Sequence, residues 1–358
     1  MESDGMKYGH ILTDGADQYL FIKVLGSGAD ASAQLVRHVQ TGELVVRKVE
    51  RRLLNEEQKQ EEQDPERILF LLQSRAREAG VQPNISYLQS ADELPTPQRR
   101  GGQQPLYHRI KYFNFYNGGT LEDLWRACET SDVATPPLLI LTMVQDLSQA
   151  LNFMYSIKPS FVFHGDLHWG NVFLHWDEDT STGPRFFLGD FGRSTCGGAR
   201  AGEHSGLVAD IRRIWRDVCD LLNTGTSFGS ESELKQYLEG TVEPELSRLA
   251  HGPASQLPDL TRLLELLSSA PAASPPDMRP FINRESQSNL SPLLHDTWDE
   301  ARKMRGIHGP WHVGEVSINP STGKLSIINI SPAAYHRPHS ISRGYYETDS
   351  EDACADMV

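Results

Sequence analysis

The sequence is poor in cysteine and has no long apolar segment. Its 358 residues include only four cysteines without paired spacing, which favours a reducing compartment and argues against a zinc site. No run approaches the 18 apolar residues of a membrane-spanning helix, and the polar, acidic start is unlike a secretory signal. We therefore expect a protein that is not secreted and lies in the cytoplasm, with the nucleus as the alternative.

Positive charge is also scarce. The chain has 34 Lys and Arg against 48 Asp and Glu, a formal net charge of −14. This balance argues against broad nucleic-acid binding and against attraction to an anionic membrane, so we expect neither as a partner. The hydrophobic share of 38 % can supply a core, and the length suits one large domain with tails. The oligomeric state is left open.

The N-terminal part of the chain predicts three short antiparallel strands and then a helix. Aromatic and β-branched residues typical of strands occupy 19–25, 34–39 and 43–49, with glycine-containing turns between them. Pro65, preceded by an aspartate, is typical of the first turn of a helix. Residues 92–104 are rich in Pro, Gly, Gln and Arg and predict a loop.

The chemistry is concentrated in His164-Gly165-Asp166-Leu167-His168-Trp169-Gly170-Asn171, followed about twenty residues later by Asp190-Phe191-Gly192. A phosphate-transferring site needs one carboxylate to receive a hydroxyl proton. It also needs an amide and a second carboxylate to hold a divalent metal on a nucleotide. Apolar residues at 172–174 and 186–188 predict the two strands of a hairpin beside these motifs, which argues against a merely solvated loop.

Together with the upstream strands, these motifs resemble the catalytic core of the eukaryotic-type protein kinases over roughly residues 17–280. The resemblance implies an α+β, two-lobed fold: an N-lobe with a small antiparallel sheet and one helix, and a mainly helical C-lobe. It divides the chain into a flexible leader 1–16, N-lobe 17–113, hinge 114–117, C-lobe 118–305, a C-terminal extension 306–330 and a disordered polar tail 331–358.

The resemblance also implies which residues face ATP. The turn Gly26-Ser27-Gly28 matches the glycine-rich loop over the phosphates, where backbone amides approach phosphate oxygens closely. Ala33 stands at the valine that follows this loop in the family. Lys48 matches the lysine on the α- and β-phosphates, and Val46, two residues earlier on the same strand face, is expected against adenine.

Two further nucleotide-binding positions follow from the same resemblance. Phe115 and Tyr116, before Gly118-Gly119, match the hinge. Glu66 best matches the acidic partner of Lys48, with Glu62 as the alternative. Glu66 would lie in the first turn of its helix, where glutamate is common simply because it suits the helix dipole.

In the catalytic segment, Asp166 matches the base that orients and deprotonates the acceptor hydroxyl. Asn171 and Asp190 match the ligands of Mg²⁺. His168 stands where a lysine usually lies near the γ-phosphate, so we include it among the catalytic residues. We expect His164 to pack the loop rather than act as a base, and Asp210 to brace the loop from a helix.

The sequence also departs from the family pattern. Gly165 replaces the arginine that pairs with an activation-loop phosphate in many protein kinases, so we expect activity without such phosphorylation. Only 20 positions separate Asp190 from Asp210, and no Ala-Pro-Glu occurs between them. His-Gly-Asp-Leu-His also resembles the loop of aminoglycoside- and choline-type kinases.

We therefore expect an ATP- and Mg²⁺-dependent phosphotransferase that acts on Ser/Thr hydroxyls of a protein. A kinase of a small hydroxylated metabolite and a nucleotide-binding pseudokinase scaffold remain alternatives.

Pro276-Asp277-Met278-Arg279-Pro280 resembles a late element of the kinase C-lobe, and residues 313–330 predict a β-hairpin.

Overall fold

The computed structural model describes most of the chain up to Ala272 and a short pair of strands beyond it. The described residues are 11–14, 17–28, 30–54, 65–95, 107–130, 134–157, 161–175, 184–197, 204–223, 232–253, 258–272, 314–318 and 325–330. Within these ranges no helix has the length and apolar character that crossing a membrane requires. The chain divides into two compact units, one of residues 1–62, 87–115 and 284–348 and the other of residues 63–86, 116–283 and 349–358.

The first unit is built on a six-stranded antiparallel sheet. Its strands are β1 (Ile11–Asp14), β2 (Asp17–Ser27), β3 (Ala31–His38), β4 (Leu44–Leu54), β5 (Leu88–Pro95) and β6 (Tyr107–Asn114). The strand order is β1-β2-β3-β4-β6-β5, so β1 and β5 are the edges. The three strands predicted from the sequence are confirmed as the central β2, β3 and β4.

Both edge strands differ from the sequence prediction. Residues 11–14, which we placed in a flexible leader, form β1, and the predicted loop 92–104 begins inside β5. β1 has only four residues, and β5 is mostly polar with Pro95 at its end. An edge strand needs only one bonded neighbour and tolerates a proline, so neither segment shows a strong strand pattern. β1 pairs with β2 from Ile11–Leu20 to Asp14–Asp17.

One face of this sheet buries a hydrophobic cluster formed by Tyr19, Phe21, Val36, Val45, Val49, Ile110 and Tyr112. An arginine is buried in the same layer. Arg47 donates from Nε to Asp14 Oδ2 at 2.7 Å and from Nη1 to Gln34 Oε1 at 2.9 Å, and the Tyr112 hydroxyl also donates to Asp14. The buried guanidinium is therefore matched by a carboxylate and an amide oxygen, as a buried charge requires.

The second unit is mainly helical. Its helices are α1 (Pro65–Ala79), α2 (Leu121–Thr130), α3 (Pro137–Ser156), α4 (Ser205–Leu222), α5 (Ser232–Tyr237), α6 (Glu243–Ala250) and α7 (Thr261–Ser268). α1 begins at Pro65, as predicted. α2 opens with a reciprocal cap, in which Asp123 N donates to Thr120 Oγ1 and Thr120 N donates to Asp123 Oδ2.

In the second unit, short strands flank the predicted motifs at residues 164–171 and 190–192. β7 (Phe161–Phe163) pairs with β10 (Thr195–Gly197), and β8 (Val172–His175) pairs with β9 (Arg185–Leu188). The predicted hairpin beside the motifs is therefore present, with Val172 opposite Leu188.

β11 (Gly314–Ile318) and β12 (Leu325–Ile330) form the predicted C-terminal hairpin. Residues 276–280 and 331–358 lie outside the described residues.

α1 packs with the second unit, although the sequence analysis placed residues 63–86 in the N-lobe. The turn after α1 explains this grouping. Leu188 N donates to Asn84 O at 2.9 Å and Ser86 N donates to Leu188 O at 2.6 Å, which joins the turn to β9. Asn84 Nδ2 also donates to the buried Asp146 on α3 at 2.7 Å. Burial raises the pKa of Asp146 to about 6.

Candidate active site

The predicted phosphate-side residues of the first unit lie on one face of the sheet. Val46 and Lys48 alternate along β4, and their partners on β3 are Leu35 and Ala33. Since directly paired residues and residues two apart share a face, Ala33, Val46 and Lys48 form one surface. Val46 and Lys48 are partly exposed, whereas Arg47 between them is buried on the opposite face. The predicted strand alternation at Lys48 is therefore confirmed.

Lys48 also has charged neighbours that the sequence analysis missed. It lies opposite Lys111 on β6, and Lys111 Nζ forms an ion pair with Glu50 Oε1 at 2.5 Å. Glu50 is two residues beyond Lys48 and therefore shares its face. The carboxylate of Glu50 offsets the repulsion that two opposed lysines would otherwise produce.

The glycine-rich turn lies at the end of this face. Gly26 pairs with Ala33 and Ser27 pairs with Ser32, so the turn continues the hairpin of β2 and β3. Gly28 N donates to Ala31 O at 2.9 Å. Residues 26–28 are exposed, and a Cβ added at Gly26 would meet no atom within 4 Å. The turn therefore has open space beside its backbone.

The remaining predicted nucleotide-side residues fall in different surroundings. Phe115 packs against the buried pair Ile22 and Leu35 of the sheet. Tyr116 belongs to the second unit, where its ring stacks on Phe187 with centroids 4.6 Å apart. Glu66 lies in the first turn of α1, as predicted, but its side chain is outside the described residues. The alternative, Glu62, lies outside them entirely.

In the second unit the predicted catalytic loop, residues 164–171, is closed by its own hydrogen bonds. Asn171 Nδ2 donates to Asp166 O at 2.9 Å, and Asn171 N donates to His168 O at 2.8 Å. His168 Nδ1 accepts from Gly170 N at 3.1 Å. The loop then enters a short 3₁₀ turn, Trp169–Asn171, that leads into β8. These bonds fix the spacing between the Asp166 backbone and the side chain of Asn171.

His164 is fully buried and joins this loop to the Asp190 segment. Its Nε2 donates to Gly189 O at 2.8 Å, which leaves Nδ1 to accept from Asp166 N at 3.3 Å. Burial lowers the pKa of His164 to about 4, and its ring contacts Phe191 edge to face at 4.9 Å. A neutral imidazole with both ring nitrogens hydrogen-bonded supports the loop and is unsuited to act as a base, as expected from the sequence.

Asp190 adopts a left-handed backbone conformation, with φ 56° and ψ 71°. It is the only non-glycine residue with positive φ in the described part of the chain, and such conformations are concentrated at functional sites. The preceding Gly189 donates its N–H to Asn171 O at 2.8 Å. A Cβ at Gly189 would meet the Phe173 ring at 2.2 Å. Glycine therefore allows the Asp190 segment to lie directly against Asn171.

Asp210 on α4 holds the start of the loop, as predicted. Its Oδ2 accepts from His164 N at 2.8 Å and its Oδ1 accepts from Gly165 N at 3.2 Å. Burial raises the pKa of Asp210 to about 7, although the two backbone N–H groups act in the opposite direction. The carboxylate thus connects the start of the loop to α4.

A second acid of α4 holds the other end of the loop and was missed by the sequence analysis. Trp169 Nε1 donates to Asp217 Oδ1, and Arg213 Nε lies 3.0 Å from the same oxygen. Asp217 is 1 % exposed, and burial raises its pKa to about 7. Asp210 and Asp217 are seven residues apart and therefore lie on one side of the helix. Helix α4 binds the loop at both ends.

The carboxylate of Asp166 is partly exposed between two basic side chains. His168 Nε2 lies 4.0 Å from Asp166 Oδ2, and Arg193 Nη1 lies 3.8 Å from Asp166 Oδ1. The structure thus brings the predicted His168 and Asp166 together. It adds Arg193, which follows Asp190-Phe191-Gly192 and was not singled out from the sequence. Its position just after the motif was the available signal.

The donor set at Asn171 and Asp190 suits a hard cation such as Mg²⁺. Because Asn171 Nδ2 is bonded to Asp166 O, the amide oxygen is left as the acceptor of that side chain. Mg²⁺ takes one or two protein oxygen ligands and fills its remaining positions with water and substrate phosphates. The described residues contain no cluster of three or more His, Cys, Asp or Glu that could hold a metal ion. A nucleotide-bound ion with two protein ligands does not need such a cluster.

Comparison with known proteins bears on the fold. No model of a protein family and no curated protein matches the chain. Among solved structures, it is similar to the crystal structure of the BubR1 kinase domain, with a TM-score of 0.54 and 12% identity, over 84% of this chain and 89% of that chain. The chain has a protein-kinase-like fold. The predicted α+β class, with its antiparallel sheet and its mainly helical part, is confirmed.

At 12% identity this likeness concerns the fold alone. A protein-kinase-like fold can carry different acceptors, and function depends on the residues of the site.

Proposed function

We propose that the chain is an ATP- and Mg²⁺-dependent phosphotransferase that transfers the γ-phosphate to Ser/Thr hydroxyls of a protein. The observation that carries this proposal is the pair of bonds from Asn171 Nδ2 to Asp166 O and from Gly189 N to Asn171 O. These two bonds connect the segment of the proposed base, Asp166, with the segments of the two proposed metal ligands, Asn171 and Asp190. His164, Asp210 and Asp217 hold these segments through further hydrogen bonds.

In the proposed reaction the Asp166 carboxylate accepts the proton of the acceptor hydroxyl. The hydroxyl oxygen forms a bond to the γ-phosphorus, while the bond from that phosphorus to the bridging oxygen breaks and ADP leaves. Lys48 would bind the α- and β-phosphates, and His168 and Arg193 would lie beside the transferred group. Mg²⁺, held by Asn171 and Asp190, would neutralise charge on the phosphates. Catalysis then rests on positioning and electrostatics.

The direct test measures transfer from γ-labelled ATP to protein and to metabolite pools. Asp166→Asn and Asp190→Asn are expected to abolish labelling, because each removes a carboxylate with a role in transfer. Glu129→Gln, an exposed residue near the end of α2, is a matched control that should retain full activity. Labelling that persists in Asp166→Asn and Asp190→Asn would contradict the proposal.

A kinase of a small hydroxylated metabolite is the second candidate. It is favoured by the short connection after Asp190: β10 ends at Gly197 and α4 begins at Ser205, which leaves seven residues where a peptide would dock. The same assay separates the two candidates. Label found only in metabolites would favour this candidate and exclude protein hydroxyls as acceptors. Nucleotide binding without any transfer would favour the pseudokinase scaffold.

A further inference from the structure

We propose that the acceptor of this enzyme is an acidic protein segment, recognised by arginines of α4 beside Asp166; this rests on the proposed function. A cavity of about 510 Å³ lies next to the catalytic loop. Gly165, Asp166 and Leu167 of the loop line one side, and α4 contributes Arg212, Arg213 and Arg216 to the lining. The site of the proposed proton acceptor and a group of cations therefore share one cavity.

The spacing on α4 accounts for this arrangement. Gly206 and Ala209, which also line the cavity, precede Arg213 and Arg216 with intervals of three or four residues, so the four lie along one helix face. Gly206 and Ala209 have little or no side chain, which leaves space near the loop. The arginines follow on the next two turns. The cavity thus has an acid at the catalytic end and cations farther along the helix.

The charges of the three arginines are compensated to different degrees. Arg213 Nε lies 3.0 Å from Asp217, so its charge is offset by a carboxylate. Arg212 donates from Nε and Nη2 to Ala250 O at 3.1 and 3.0 Å, a neutral partner that leaves its positive charge intact. Arg216 is exposed and forms no ion pair with any residue in the described ranges. Within the described ranges, neither Arg212 nor Arg216 therefore has a carboxylate as its bonded partner.

These two cations also repel each other. Arg212 and Arg216 are four residues apart on a helix, a spacing at which like charges are destabilising. The acids that line the cavity, Asp166 and Asp210, are assigned to the acceptor hydroxyl and to the backbone of the loop. An anionic ligand at the far end of the cavity would relieve the repulsion. Guanidinium groups bind carboxylates and phosphates through paired N–H donors.

The helix also indicates how far the ligand charge lies from the acceptor hydroxyl. Asp210 binds the loop at Gly165, next to Asp166, and Arg216 lies six residues beyond Asp210, roughly 9 Å along the helix axis. An extended peptide covers this distance in about three residues. We therefore expect an acidic side chain two to four positions from the phosphorylated Ser or Thr.

The experiment scans Asp, Asn and Lys through four positions on each side of the Ser in a synthetic peptide and measures kcat/KM. With the full-length native protein, Asp at a preferred position is expected to raise kcat/KM over Asn by roughly tenfold. Arg216→Gln should remove most of this preference, and Arg216→Glu should reverse it in favour of Lys. Arg262→Gln on α7, an exposed arginine outside the cavity, should leave the preference unchanged.

The outcomes distinguish this inference from the proposed function. If the native protein phosphorylates peptides but Arg216→Gln and Arg216→Glu keep the native Asp-to-Lys ratio, the acidic-acceptor inference is wrong and the kinase activity stands. If no peptide is labelled while hydroxy acids or sugar phosphates are, the acceptor is an anionic small molecule and the peptide version is overturned. The melting temperature of each variant checks that a lost preference does not reflect unfolding.

Discussion

At Gly165 the backbone has a φ of +75°, and an added Cβ would lie 2.7 Å from the carbonyl oxygen of Arg193. In the sequence, this glycine stands out only as the absence of a phosphate-binding arginine. The structure gives it a role of its own, because a side chain here would strain the backbone and press on the segment after Asp190.

We predict that Gly165→Ala lowers the free energy of unfolding by about 1–3 kcal/mol, the range expected for a left-handed non-glycine residue with a steric clash. Urea denaturation measures this change. Gly240→Ala is the control, since a Cβ at Gly240 meets no atom within 4 Å and alanine favours helix. Equal stabilities of Gly165→Ala and the native protein would show that the loop adapts to a side chain.

Asp217 gives a prediction about pH. Burial raises its pKa to about 7, so between about pH 4 and pH 7 the folded protein keeps a proton that the unfolded chain has released. The free energy of unfolding therefore falls as pH rises through this window. Asp217→Asn should remove this contribution, up to about 1.4 kcal/mol per pH unit. Burial also raises the pKa of Asp210 and Asp146, so the free energy of unfolding of this variant should still fall as pH rises.

The measurement is denaturant unfolding at several pH values between 4 and 8. The stability of Asp217→Asn relative to the native protein is expected to improve as pH rises. Glu129→Gln, an exposed acid on α2, should run parallel to the native curve. A parallel curve for Asp217→Asn would mean that Asp217 titrates alike in the folded and unfolded states.

Single residues also show which features of the site a local sequence pattern can reveal. Asp166, Asn171 and Asp190 were found because their order and spacing are local. The bonds from Arg47 to Asp14 and from Trp169 to Asp217 join residues 33 and 48 positions apart. Such pairs depend on tertiary packing, and nothing in the local pattern of either partner indicates the other.

At the scale of elements, the catalytic loop is fastened to α4 through Asp210 and Asp217. We predict that Trp169→Phe, which keeps a ring against Trp125 but loses the bond to Asp217, lowers kcat roughly tenfold through misalignment of Asn171. The KM for ATP should change little, because Trp169 acts through the loop. Steady-state kinetics measure both constants.

Trp125→Phe is the matched control, since it leaves Nε1 of Trp169 in place. A double variant, Trp169→Phe with Asp217→Leu, tests the connection itself, because leucine removes the acceptor oxygen. If the two residues act through one bond, the combined loss in kcat is smaller than the product of the single losses. Independent, multiplying losses would argue against the connection.

The segment from Arg193 to Ala209 leads to another prediction at this scale. Because Gly165 offers no cation for a phosphate, activity should persist after phosphatase treatment of the purified protein. Mass spectrometry of residues 193–209 before and after treatment checks that the segment is unmodified. Loss of activity together with loss of a phosphate from this segment would contradict the prediction.

Elements with strong alternation were predictable, and those without it were not. β2, β3 and β4 contain β-branched and aromatic residues in alternation, and the helix at Pro137 has regular apolar spacing. β1, with only four residues, and the largely polar β5 are edge strands, so their pairing depends on the neighbouring strand. The same reason hid the association of the turn after α1 with β9, which depends on the backbone bonds of Asn84 and Ser86.

For the molecule as a whole, nucleotide binding should appear as added stability. At a hundredfold excess of ATP and Mg²⁺ over Kd, a ligand that binds only the folded state contributes about 2.7 kcal/mol. We predict a rise in melting temperature that is lost in Asp190→Ala, measured by differential scanning fluorimetry. Glu129→Gln should retain the full rise. An unchanged melting temperature of the native protein at saturating ATP would argue against nucleotide binding.

The shared use of α4 restricts how this protein can be redesigned. Arg213 touches the acid that steadies Trp169, so altering selectivity there would disturb catalytic alignment as well. Arg212 is bonded to the end of α6, and its replacement would loosen the contact between two helices. Within the described ranges, Arg216 is the one of the three arginines whose side chain is hydrogen-bonded to neither Asp217 nor the end of α6. Under the proposed function, a substitution at that one position would change acceptor choice and leave the bonds that hold the loop in place.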